Sequence, residues 1–378
     1  MIVISLLFVL TNDLASNFKK LIKNPLNLSF IGIFLIYLLS GLNSDDTAYF
    51  LERLKIKLPL LILPLGFSCI ELSKKRLNTI LYFTLILVSL FSVGSFINYL
   101  LNFKEVNESY LHAKVIPTPI NHIRFSLLIA ISIIAGFFLY RKKFILKWNW
   151  ERGLILGCTL FLLVFLHILS VRSGMLAFYV SVFSLLVVYI LRSGNYKTGI
   201  AGLLLVLSLP LAAYFAFPTL QNKINYSIAD ISRFIKGKSA NNYSDGNRLL
   251  SLKLATEIAM ENILTGVGIG DVKNKMFEKY EREYPDISPE NKIIPHNQFF
   301  FIFAGAGFIG LFLFTLFTFY PIMNKVAAQN ALFIAITATI VTSYISEATL
   351  ENQLGMAIYS LFSLIAYQYN EYPDEYFL

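Results

Sequence analysis

The sequence predicts an all-α, polytopic integral membrane protein with about eleven transmembrane helices and one large extracytoplasmic loop that contains short helices. Three observations carry this. Of the 378 residues, 56% are hydrophobic and only 15% charged, and the mean hydropathy is +0.63, outside the habit of a soluble domain. Apolar runs able to cross a hydrocarbon core of about 30 Å, which takes roughly 20 helical residues, recur along the whole chain. The short alternating segments of a membrane β-barrel do not occur, so helices are what remains to satisfy the backbone in lipid.

In order, the runs at 1–15, 29–42, 56–72, 77–101, 121–140, 153–171, 173–192 and 198–217 give eight helices over residues 1–217. The loop 218–296 follows, and runs at 297–322, 327–346 and 352–369 complete residues 297–378 with a cytoplasmic tail. The opening MIVISLLFVL has no basic stretch before it and no small-residue cleavage site, so it reads as a helix rather than a signal peptide. Pro59 and Pro64 interrupt the third run, which reads as kinked or re-entrant.

Basic residues set the orientation. One set of alternate loops holds Lys19, Lys20 and Lys23, then Lys74, Lys75 and Arg76, then Arg141, Lys142, Lys143, Lys147 and Arg152, then Arg192 and Lys197, and lastly Lys325. These face the cytoplasm. The opposite set contains Asp45 and Asp46, the break at Arg172, the loop 218–296 and the turn 347–351, and all of these face outside. The net charge of +9 is spread over short loops rather than one soluble face, which argues against nucleic acid as a partner. Cys69 and Cys158 both lie within apolar runs and suit packing, not a disulfide framework or a metal site.

Within the large loop, the turn-prone GKSANNYSDGN (237–247) precedes a helical pattern that Asp245 is placed to cap, with Leu249, Leu250, Leu252, Leu254, Ile258 and Ile263 as its apolar face. GVGIG (266–270) reads as a tight turn permitting close backbone packing, because it matches neither nucleotide fingerprint. Asp271 is then placed to cap a second, charged helix.

Three residues stand out chemically. Arg172 divides about forty apolar residues in HILSVRSGMLAF; an arginine at such depth marks a pathway or a bound anion, or else snorkels at a helix hairpin. Arg248 falls in the first turn of a predicted helix, where free amides and the macrodipole suit a phosphate, though a solvated arginine fits equally. His296, with Asn297 beside it at the outer interface, suits proton acceptance near neutral pH, against a structural histidine bonded to backbone. His122 and Arg124 at the start of the fifth run, Asn297 and Glu347 are secondary candidates, while His167 suits a hydrogen bond to a neighbouring helix. Glu347 and Glu351 read as a solvated turn able to pair with an arginine. No Walker motif, HExxH or zinc-spaced Cys/His cluster occurs, so neither a cofactor nor a metal is expected.

The order of these elements, with R-S-G at a helix break, an Arg-led helix running to N-I-L-T-G-V-G-I-G, and P-H-N before another span, resembles the O-antigen ligase and polymerase (Wzy-type) superfamily of bacterial membrane glycosyltransferases over roughly residues 150–320. The resemblance implies transfer of a glycan from an undecaprenyl pyrophosphate carrier to an acceptor hydroxyl, of a lipid A core or of another glycan, without nucleotide or metal. It implies a bacterial inner membrane protein with a periplasmic loop. By it Arg172 and Arg248 hold the pyrophosphate and His296 assists acceptor attack; membrane lipids are the other partners. Membrane arginines and a broken helix also fit a small-anion secondary transporter, which predicts charges near the bilayer midplane instead of at the outer rim. A non-enzymatic scaffold predicts no penalty for altering those residues.

Overall fold

A computed structural model describes residues 14–112, 114–236, 241 and 243–369. Residues 1–13 of the expected first helix (1–15), part of the 237–247 patch and the tail after residue 369 lie outside these. In chain order the helices are α1 (Leu14–Lys23), α2 (Pro25–Ser40), α3 (Thr47–Lys57), α4 (Pro59–Cys69), α5 (Lys74–Leu101), α6 (Phe103–Ser109), α7 (His122–Arg141), α8 (Glu151–Leu169), α9 (Arg172–Ser193), α10 (Tyr196–Ala216), α11 (Pro218–Ile235), α12 (Ser244–Glu261), α13 (Val272–Glu283), α14 (Gln298–Met323), α15 (Lys325–Gln329), α16 (Ala331–Ser346) and α17 (Gln353–Gln368). No strand occurs among the described residues.

The boundaries have local causes. Asn24, Ser73, Asn121, Asn195 and Asn297 each accept a first-turn amide with the side chain, starting α2, α5, α7, α10 and α14, and Pro25 sits at the first position of α2, where no amide is needed. Gly194 in the left-handed region ends α9. Seven described helices are long and apolar enough to cross a membrane: Pro25–Asn43, Lys74–Leu101, His122–Arg141, Glu151–Leu169, Arg172–Ser193, Tyr196–Ala216 and Gln298–Met323. The chain is a multi-pass membrane protein.

One expected span takes another form, and two are short. The run 56–72 is divided at Leu58, leaving α4 with only 11 residues, because Pro59 supplies no amide to continue α3. Helices α16 and α17 have 16 residues each, about 24 Å at the α-helical rise and so shorter than a hydrocarbon core.

The chain forms two compact units. The first comprises residues up to Glu71, Ala229–Asn324 and Tyr344–Leu364. In it α2 packs along α14, and α12 packs on both α13 and α14. The Phe317 ring lies over Gly32, where a Cβ would come within 2.5 Å of it. Helix α14 is broken at Gly307 (φ 65°), and the chain at 263–268 bonds along the break: Phe308 N donates to Ile263 O (2.7 Å), Val267 N to Ala304 O (3.0 Å) and Gly268 N to Gly305 O (2.9 Å). GVGIG is therefore the close backbone approach its glycines suggest. A Cβ on Gly266 (φ +69°) would meet Gly305 C at 2.5 Å.

The second unit comprises Leu72–Ile228, Lys325–Ser343 and the chain from Ile365. Here α7 is the centre, packed by α5, α8 and α9. Small residues admit the approach: a Cβ at Gly136 would lie 2.1 Å from Thr159 Oγ1, and one at Gly174 2.4 Å from Ser126. Ser181 on α9 donates to Ala335 O (2.9 Å) and meets Thr339 Oγ1 (2.7 Å).

Candidate active site

The first unit assembles Arg248, His296, Asn297 and Glu347. Helix α12 begins at Ser244 without a side-chain cap from its own N-cap residue. Asp245 does not cap it. Its amide and that of Gly246 instead donate to Asp230, at 2.7 and 3.0 Å, and the Asp230 side chain is buried. Those two amides are thus engaged by a carboxylate and do not present themselves to a phosphate. The anion chemistry left at this helix start belongs to the guanidinium of Arg248, half-buried four residues into α12.

One turn further, Ser251 joins two candidates. Its hydroxyl donates to the backbone carbonyl of Arg248 (2.7 Å) and accepts from the backbone amide of His296 (3.4 Å), so the main chains of Arg248 and His296 flank one buried serine. The buried face of α12 beneath them is Leu250, Leu254 and Ile258, while Leu249 and Ile263 are exposed, contrary to the broader apolar face expected. Asn297 caps α14 through Phe299 N (2.9 Å) and Phe300 N (3.2 Å) and donates to Ile345 O (3.0 Å), which ties the histidine segment to the turn carrying Glu347.

That turn is not solvated. Glu347 and Glu351 are both 6% exposed, and Glu351 pairs with Lys57 (3.1 Å) rather than with an arginine. Asp271 does not cap α13 either; it accepts from Asp45 N (2.7 Å) and Asp46 N (2.8 Å), fixing the entrance to α3. Beside the α14 break an open apolar groove of about 360 Å³ is lined by Ile36, Leu39, Ala306, Ile309, Gly310 and Leu313. Helices α12 and α13 are clamped by Lys279, which contacts Glu261 (3.0 Å), Glu257 (3.3 Å) and Glu283 (3.6 Å). Desolvation opposes its charge, but the hydrogen bonds to Glu261 and Glu257 outweigh it, and the Lys279 pKa is raised.

The second unit holds Arg172, His122 and Arg124. Ser170, in the left-handed region (φ 51°), ends α8 and turns the chain into α9. The last carbonyls of α8 are fully used: His167 O by Ser170 Oγ (2.6 Å), Ile168 O by Thr219 Oγ1 (2.7 Å) and Leu169 O by the Tyr110 hydroxyl (2.8 Å). Arg172 is the first residue of α9 and its Nη1 donates to Ser227 Oγ (2.9 Å). His122 and Arg124 lie in the first turn of α7. His167 bonds the Tyr179 hydroxyl on α9 and Leu163 O, so it is a helix-packing histidine.

Residues 157–315 match the family model O-antigen ligase (Wzy_C). Over this stretch, less than half of the chain, the protein is similar to the O-antigen ligase and polymerase superfamily. The O-antigen ligase match includes Arg172, Arg248, His296 and Asn297, and leaves His122, Arg124 and Glu347 outside. The family points to O-antigen ligase or polymerase activity, that of a glycosyltransferase-like enzyme acting on lipid-linked glycan. No curated protein matches the chain. Among the described residues, no group of three or more His, Cys, Asp or Glu is arranged to hold a metal.

The groups that position the candidates were not legible as such. Asp230, Ser251 and Ser227 are ordinary residue types, and their partners lie 15, 45 and 55 positions away. One signal was available: Asp230 is a lone acid in the amphipathic segment 218–235, followed by the SDG turn.

Proposed function

We propose that the protein transfers a glycan from an undecaprenyl pyrophosphate carrier to an acceptor hydroxyl, on a lipid A core, at the periplasmic face of the bacterial inner membrane. The reaction is a single displacement with inversion. His296 accepts the hydroxyl proton as the acceptor oxygen bonds to the anomeric carbon, and the bond from that carbon to the phosphate oxygen breaks. Undecaprenyl pyrophosphate leaves with the electron pair. Arg172 and Arg248 each supply a fixed guanidinium to the pyrophosphate as its charge grows. The donor brings its own free energy, and neither nucleotide nor metal is called for by the resemblance. The isoprenoid lies between helices, for which the groove beside α14 offers an apolar wall.

What supports this reading is the Arg248–Ser251–His296 linkage inside the O-antigen ligase match: one serine bonds the backbone of the residue that carries the cation and the backbone of the residue that carries the base, which keeps the two near each other. A polymerase would use the same groups with a glycan repeat as acceptor.

The test is transfer from purified undecaprenyl pyrophosphate-linked glycan in detergent, with lipid A core and glycan repeats offered separately. Transfer to lipid A core by the wild type, lost in Arg172→Ala, Arg248→Ala and His296→Ala proteins that still fold, supports the ligase. Transfer only to the glycan selects the polymerase. Unchanged transfer in all three variants, or none by folded wild-type protein, rejects the reading.

A further inference from the structure

Below the histidine segment the first unit buries four polar side chains in one network. Lys57 and Glu351 pair at 3.1 Å with side chains 0% and 3% exposed. Tyr37 and Gln298 are likewise fully buried. The Tyr37 hydroxyl donates to Glu351 Oε1, and Gln298 Nε2 donates to Tyr37 Oη (2.9 Å) and Glu351 Oε1 (3.3 Å). Gln298 Oε1 accepts from Leu350 N (2.8 Å). The Lys57 ammonium also lies 4.4 Å from the centre of the Tyr37 ring, and Arg53 donates to Glu351 O (2.8 Å).

Four separate stretches meet here: α2 through Tyr37, α3 through Lys57 and Arg53, α14 through Gln298, and the turn at 349–351. An ion pair stripped of water is a weak source of stability compared with apolar packing of the same volume. What a buried network bonded in this way does supply is one geometry, since its members find these partners in only one arrangement. The geometry fixed here is that of the chain around His296. Gln298 follows it by two residues and is bonded to Leu350 and Glu351, while Asn297 between them is bonded to Ile345. The segment is therefore gripped along 345–351, and that turn is anchored through Glu351 to Lys57.

We propose that Lys57, Glu351, Tyr37 and Gln298 are positioning residues for His296, acting through Gln298 and the 345–351 turn to hold the imidazole in its reactive place. The proposal rests on the assignment of His296 as base. None of the four touches substrate. Their loss slows the chemical step and leaves donor binding, which depends on the arginines, unchanged.

The test compares wild type with Tyr37→Phe, Lys57→Met and the neutral pair Lys57→Met/Glu351→Gln, each checked for folding by size exclusion and thermal unfolding. Tyr37→Phe is the mildest, because it deletes one hydroxyl and keeps the ring facing Lys57. A misplacement of this order costs up to roughly 100-fold in rate, so kcat is expected to fall about 3–10-fold in Tyr37→Phe and about 10–100-fold in Lys57→Met, with KM for the undecaprenyl pyrophosphate donor within about twofold. The neutral pair, free of an uncompensated buried charge, recovers part of the Lys57→Met loss. A fall in stability with unchanged kcat in the folded fraction overturns the proposal, as does a rise in KM alone.

A second readout needs no transfer: the rate of His296 modification by diethyl pyrocarbonate, followed by mass spectrometry. It rises several-fold in Tyr37→Phe if the network holds the imidazole, and an unchanged rate overturns the proposal. Failure of His296→Ala to affect transfer rejects the assignment of the base itself, which neither network result could do.

Discussion

Asp230 offers the sharpest test of how Arg248 is held. Replacing it with alanine removes a buried carboxylate that accepts from Asp245 N at 2.7 Å and Gly246 N at 3.0 Å. Helix caps contribute about 0.5–2 kcal/mol, and hydrogen bonds to a charged group about 1.5–3 kcal/mol each. These describe the same two contacts, so they are not summed. With two amides left buried, a cost of about 2 kcal/mol at the start of α12 is the lower working value. That corresponds to a roughly thirtyfold increase in local opening. Hydrogen exchange followed at peptide resolution reads this directly. Amides at 245–248 should exchange about thirtyfold faster in Asp230→Ala, while those of α13 around Met276 and Tyr280, buried elsewhere in the same unit, keep their rates. The donor KM should rise with them, because Arg248 rides on the loosened turn. Unchanged exchange at 245–248 would refute the account of the cap, and equal acceleration across α13 would show a global loss rather than a local one.

Three further outcomes follow from the same geometry. Gly266→Ala should destabilise by about 3 kcal/mol or more, since a Cβ would sit 2.5 Å from Gly305 C with φ at +69°; Gly94→Ala, with nothing within 4 Å, should be neutral or slightly stabilising in thermal unfolding. Ser227→Ala should raise the donor KM severalfold without changing the unfolding temperature, as Arg172 loses the hydroxyl that orients it at 2.9 Å. Lys279→Met should cost about 1 kcal/mol, the value of a partly exposed pair network. Because the folded pKa of Lys279 is raised, its contribution is complete below the ordinary lysine pKa of about 10.4 and is lost only as pH climbs through the higher folded value. The difference between variant and wild type should thus be flat across neutral pH and shrink in strong alkali, and a difference that disappears near pH 7 would contradict it.

Much of the membrane architecture is written locally. Run length alone locates the helices at 74–101, 122–141, 151–169, 172–193 and 196–216 within a few residues, because a span is defined by its own hydrophobicity. Capping misleads for the opposite reason. Asp245 and Asp271 stand where a cap would stand, yet the amides at 245 and 246 go to Asp230, and Asp271 reaches back more than 200 positions to Asp45 and Asp46. Tertiary packing chose the partners. Glu351 is misread likewise: charge near a helix end normally means water, and only the fold brings in Lys57, 294 positions away. Arg172, Arg248 and His296 stand out in the sequence because their chemistry is unusual for where they stand. Ser251 and Gln298 do not, since serine and glutamine are unremarkable until their bonds are known.

A common physical feature underlies the three candidates: each lies where a helix stops or starts. Arg172 follows the left-handed turn at Ser170, Arg248 lies just past the first turn of α12, and His296 immediately precedes the cap of α14. Helix ends expose backbone groups, and close to lipid these must find partners within the protein. Ser170, Thr219 and Tyr110 serve the end of α8, Asp230 the start of α12, and Asn297 the start of α14. The groups that satisfy the backbone consequently fix the segments that carry the candidates. Substituting them perturbs stability and function together, and loss of activity alone does not identify a role. A group that orients a pyrophosphate ligand should move KM for the donor, whereas one that orients the base should move kcat. Ser227 and Asp230 belong on the first side of that division and Gln298 on the second, which makes the split, measured in folded variants, the observation that separates a role in binding from a role in chemistry for each of these candidates.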